Sequence, residues 1–170
     1  MENYKEIDAK EIGGNLIKKI GDEWFLITSG DKSKFNTMTA SWGGMGVFCG
    51  KNVAIFAIRP SRYTFEFAEK NPTLTLSFFS EDYRKALQIC GSKSGRDCDK
   101  VKEAGLTAIS TEAGNMTFKE ASLVMECTKM YAQNLEEACF LDKEMVEKWF
   151  KNGDYHKLYI CQIDKVWVRA

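Results

Sequence analysis

The chain has 170 residues, 44% hydrophobic and 28% charged, with 24 Lys plus Arg against 24 Asp plus Glu. That neutral balance argues against nucleic acid as a partner, because phosphate contacts need a basic surface, and the length suffices for a core without metal or disulfide staples. No apolar run approaches the roughly 20 residues of a membrane span, and the polar start MENYKEIDAK does not read as a secretory signal, so no membrane partner is expected and the cytoplasm is the expected location.

Along the chain, residues 24–29 are aromatic and β-branched and predict a strand, followed by a turn at Gly30-Asp31-Lys32-Ser33. Residues 36–42 (NTMTASW) alternate hydroxyl and apolar side chains, which predicts a strand with one polar face. Gly43-Gly44-Met45-Gly46 reads as too rich in glycine to continue regular structure. Residues 53–59 (VAIFAIR) predict a strand buried on both faces. Pro60 breaks it, and 62–70 predicts a short helix with Ser61 as its N-cap and Asn71-Pro72 as its stop. A strand over 73–79, a helix over 82–90 capped by Ser80 or Asp82, and another helix over 97–104 follow. The stretch 119–134 is β-rich, 142–150 carries Met145, Val146, Trp149 and Phe150 in a helical stripe, and 156–169 supplies a final strand or strand pair. Six or seven strands with four short helices between them favour a mainly β, antiparallel barrel over a parallel doubly wound sheet. There is no G-x-G-x-x-G fingerprint and no Walker A motif. One domain over 1–170 is the expected organisation.

The six cysteines show no C-x-x-C and the only histidine is His156, so neither a metal site nor a disulfide framework is expected. Three segments carry candidate chemistry. Arg59-Pro60-Ser61-Arg62-Tyr63-Thr64 joins a buried strand to a helix start, where free N–H groups, two arginines and two hydroxyls suit a phosphate. Its bland alternative is a solvated surface turn. Cys90-Gly91-Ser92-Lys93-Ser94-Gly95-Arg96 is small, flexible and cationic, and its glycines would let backbone approach an anion; a hydrophilic loop has the same composition. The polar face of 36–42 can offer hydrogen bonds to the edge of a flat heterocycle, with Met38 and Trp42 as apolar contacts, although threonine also suits any half-exposed strand. His156 opens the last strand and can carry a proton near neutral pH.

Taken together in this order, Asn36 to Gly43, Arg59 to Thr64 and Cys90 to Val101 resemble the flavin reductase-like family of the FMN-binding split barrel, most like its flavoredoxin-like branch. The resemblance covers roughly residues 11–165. It implies a homodimer of split β-barrels with one FMN per subunit near the interface, and hydride transfer to the flavin from NADH or NADPH as co-substrate. It places Asn36, Thr37, Met38, Thr39, Ser41 and Trp42 along the isoalloxazine ring. Arg59, Ser61, Arg62, Tyr63 and Thr64 form the phosphate turn, and Cys90, Gly91, Ser92, Lys93, Ser94 and Arg96 the second contact. His156 falls near the flavin or nicotinamide site. Residues 142–153 fall in a lid or interface. Two positions depart from the family pattern: Cys161 stands where a glycine is usual, and Lys93 where a histidine is frequent. The same resemblance admits a tightly bound FMN electron carrier serving a redox protein partner, a flavin-binding module without turnover, or a split-barrel oxidase of a B6 phosphate or haem binder; three matched segments favour the FMN reductases over the last.

Overall fold

The computed structural model describes residues 1–170. Its centre is an antiparallel sheet of eight strands in the order β3-β2-β6-β9-β10-β5-β4, with β1 also paired to β10. The strands are β1 (Tyr4–Ile7), β2 (Phe25–Gly30), β3 (Phe35–Ala40), β4 (Gly43–Phe48), β5 (Lys51–Ile58), β6 (Thr73–Phe78), β9 (Leu123–Asn134) and β10 (Lys157–Arg169). A separate hairpin joins β7 (Ala108–Ser110) to β8 (Met116–Phe118). Five α-helices accompany them: α1 (Leu16–Gly21), α2 (Tyr63–Lys70), α3 (Arg84–Ser92), α4 (Lys100–Glu103) and α5 (Lys143–Trp149).

Strand periodicity sorts the side chains onto two faces. On the inner face Phe25 and Ile27 of β2, Met38 and Ala40 of β3, Leu74, Leu76 and Phe78 of β6, and Met125 and Cys127 of β9 share one buried cluster with Phe56, Tyr159 and Cys161. On the outer face Leu26, Val124 and Trp167 pack with Leu87 and Cys90 of α3 and with Phe118 of β8. Each buried Leu, Ile, Val, Met or Phe among them contributes roughly 1.5–3 kcal/mol. β10 holds the barrel together. It pairs with β9 along most of its length, while its first half pairs with β5 and its last four residues with β1. Register shifts between Ile160 and Cys161 and between Ile163 and Lys165 bend it, as bulges do.

The mainly β, antiparallel architecture is the one expected, but ten strands replace the expected six or seven. The glycine-rich Gly43–Phe48 segment is a regular strand paired with β5. A Cβ at Gly43 would meet the Ile55 carbonyl oxygen at 2.2 Å, so the glycine permits the close approach that seats the strand. The expected helix over 97–104 shortens to α4, capped by the Asp99 side chain on the Lys102 amide. Ser61 does not cap α2: Arg62 is the N-cap residue, no side chain caps the helix, and the Ser61 hydroxyl donates instead to Asp154 at 2.5 Å. Nor does Ser80 or Asp82 cap α3. Tyr83 precedes it without a side-chain cap bond, after a short 3-10 turn at Glu81–Tyr83. No helix is long and apolar enough to cross a membrane.

Candidate functional site

β3 is an edge strand of the sheet, so alternate backbone N–H and C=O groups on its outer side lack a sheet partner. Two clefts run along its end. The first, about 370 Å³, is lined by Met38, Thr39, Ala40, Ser41, Trp42, Ala57, Arg59, Arg62, Trp149 and His156. The second, about 410 Å³, is lined by Trp24, Leu87, Gln88, Gly91 and Ser92. Both also share Thr39, Ala40, Ser41 and Arg62. The two adjoin as one groove, with an aromatic end at Trp42 and Trp149, a second end along α3, and Arg62 at the junction.

The aromatic end is roofed by α5. Asp142 caps that helix by accepting from the Glu144 and Met145 amides, which fixes where the following chain crosses the barrel. Trp149 meets Trp42 edge to face with centroids 5.2 Å apart, and Phe150 lies 5.6 Å from the His156 ring. Arg59 fastens the arrangement, donating from Nε to His156 Nε2 at 3.4 Å and from Nη2 to the Trp149 carbonyl at 3.2 Å. His156 is buried. Burial, then the Arg59 guanidinium, lowers its pKa to about 4. The ring is therefore neutral at ordinary pH. Since Nε2 accepts from Arg59, the remaining proton sits on Nδ1, a buried atom with no partner.

At the α3 end Arg62 donates to the Gly91 carbonyl at 2.9 Å, bridging the start of α2 to the end of α3. No side chain caps α2, and while the Phe65 amide donates to the Arg62 carbonyl at 2.9 Å, the Tyr63 and Thr64 amides at its start keep the capacity to bind an anion. Gly95 packs so tightly that a Cβ there would fall 2.1 Å from Asn36 Oδ1.

The groove thus gathers Met38, Thr39, Ser41, Trp42, Arg59, Arg62, Gly91, Ser92 and His156 from the residues expected at the site. The others lie outside the lining of the two clefts. Thr37 is fully buried with its hydroxyl 2.9 Å from that of Thr28, and Asn36 donates to the buried Thr64 hydroxyl at 2.7 Å. Even the Thr39 hydroxyl donates to the Leu87 carbonyl at 2.5 Å. The Asn36, Thr37 and Thr39 side chains thus all make hydrogen bonds within the fold. Cys90 lies in the outer core, where burial pushes its thiol up to about 11. Lys93 pairs with Glu103, and Arg96 pairs with Glu66 at 2.5 Å while stacking on Tyr63. Ser94 takes the Arg96 amide on its hydroxyl at 3.2 Å. Sequence reasoning missed Trp149, Leu87, Gln88 and Trp24. Trp149 alone left a signal, an aromatic in a helical stripe next to the expected lid.

The fold is an antiparallel split barrel with short helices. The model of the flavin reductase like domain matches residues 18–170, and the chain belongs to that family. No curated protein matches it. Among solved structures it is similar to an FMN-binding domain of a flavin reductases-like enzyme from Shewanella baltica, at TM-score 0.71 and 13% identity over 98% of this chain and 78% of that one. An FMN-binding protein from Thermus thermophilus with bound p-hydroxybenzaldehyde aligns at TM-score 0.69 and 17% identity, covering 97% and 82%. A flavoredoxin of Desulfovibrio vulgaris aligns at 0.67 and 20%, covering 95% and 76%.

Proposed function

We propose that the groove along β3 binds FMN and that the chain is an NAD(P)H-dependent flavin oxidoreductase. The observation that carries this reading is the free edge of β3 bordering both clefts, with Arg62 where they join. A flat ring edge can pair with that backbone, and a phosphate can pair with Arg62 and the uncapped start of α2. The buried Nδ1–H of His156 supports a ligand as well, since an unpaired buried donor costs about 1–3 kcal/mol until an acceptor reaches it.

Bound FMN supplies the redox centre, while the protein supplies binding, orientation and electrostatics. Arg62 and the α2 amides anchor the charged end and hold the ring against the β3 edge. The exposed rings of Trp42 and Trp149 at the aromatic end offer the flat surface a nicotinamide needs. His156, neutral and hydrogen-bonded through Arg59, serves as a fixed donor rather than as an acid or base.

The reading extends to one FMN-binding domain over 1–170, since β1 is tied to β10. It extends also to a homodimer, because edge strand β4 exposes Val47 and Phe48. A reducing compartment such as the cytoplasm suits six free cysteines. Anaerobic mixing of the FMN-loaded protein with NADH and with NADPH tests the activity: bleaching of the flavin absorbance by at least one is expected. Retained FMN that neither nucleotide bleaches would replace the reductase with a carrier fed by a protein partner.

A further inference from the structure

Lys100 is buried, only 5% exposed, at the start of α4. Its ammonium makes no ion pair. Nζ donates to two carbonyls, Cys90 at 3.0 Å and Lys93 at 3.3 Å. The nearby carboxylates are engaged elsewhere, Glu103 with Lys93 and Asp99 with the Lys102 amide. A buried cation without an anion is costly, and burial, the largest cause, holds the Lys100 pKa below its ordinary value, with Arg62 adding repulsion. Arg62 reaches the same turn from the other side, on the Gly91 carbonyl. Two cations therefore converge on the last turn of α3, at the α3 end of the groove.

A helix C-terminus attracts cations through its dipole, which explains one of them on a solvated surface. It does not explain a second, buried and unneutralised, next to the first. We infer that Lys100 is a positioning residue for a dianionic phosphoryl group: it fixes the Cys90–Lys93 turn from beneath and supplies the charge that, with Arg62, the phosphate neutralises. This rests on the FMN reading above and names a residue that reading does not use.

The test compares FMN with riboflavin, which carries the same ring without phosphate, by quenching of flavin fluorescence in wild type, Lys100→Met and Lys100→Arg. The expected result is a tenfold or greater loss of FMN affinity in Lys100→Met with riboflavin affinity unchanged, and substantial recovery in Lys100→Arg. Equal loss for both flavins, or loss for neither, overturns the role of Lys100 while a wild-type preference for FMN leaves the FMN reading standing. A wild type that takes both flavins equally overturns the phosphate grip itself. If Lys100→Met does not fold, the wild type still decides. Its Lys100 titration, followed by the 13Cε shift, should move upward with FMN and stay in place with riboflavin; no movement with FMN refutes the inference.

Discussion

The imidazole of His156 lies in the wall of the groove, and its burial fixes its chemistry. Its folded-state pKa of about 4 sits below the ordinary 6.5. Between those values the unfolded chain holds a proton that the folded chain does not, so stability rises with pH through that window and is lost as pH falls from about 6.5 towards about 4. His156→Gln removes the titrating ring and is expected to flatten this part of the stability profile, read by urea unfolding across the window. An unchanged slope would contradict a buried neutral imidazole. The residue type was legible in the sequence as the only histidine. Its neutrality was not, because that follows from Arg59 and from packing under Phe150, which join residues 97 positions apart in the first case. The hydroxyl row of 36–42 carried the opposite lesson. The alternation was visible, but the partners that consume Thr37 and Thr39 come from β2 and α3, so the sequence could not tell a ligand-facing hydroxyl from a satisfied one.

At the scale of elements, strands with strong side-chain patterning could be read directly: β2, β5, β6 and β10 stand close to where alternation or continuous burial put them. β4 could not, because its stability comes from the β5 ladder and from the space Gly43 leaves at Ile55 rather than from its own propensity. β7 and β8 have three residues each, too few to show a period. α5 was legible through its apolar stripe, its Asp142 cap came only with the structure, and its place over Trp42 makes it the element most able to open separately. Asp142→Ala removes the side chain that accepts two first-turn amides and should cost about 0.5–2 kcal/mol. The expected signature is faster amide hydrogen exchange confined to Lys143–Trp149, with β9 and β10 unaffected. Loss of protection throughout the barrel would show that α5 is part of the global fold rather than a separate roof.

Across the whole molecule, the barrel is closed by hydrophobic burial while the groove is left with unfilled capacity: the free side of β3, the uncapped start of α2, an unpartnered imidazole donor and two neighbouring cations. These features come from segments far apart in the chain, and under the proposed function one phosphorylated flat ring meets them. Isothermal titration of FMN into flavin-free wild type and Arg62→Ala tests that most directly. One FMN per wild-type chain is expected, with a binding free energy weaker by about 1.5–3 kcal/mol in the variant, the worth of a charge-assisted hydrogen bond. Wild type that takes up no FMN at saturating concentration, or a variant with undiminished affinity, would contradict it.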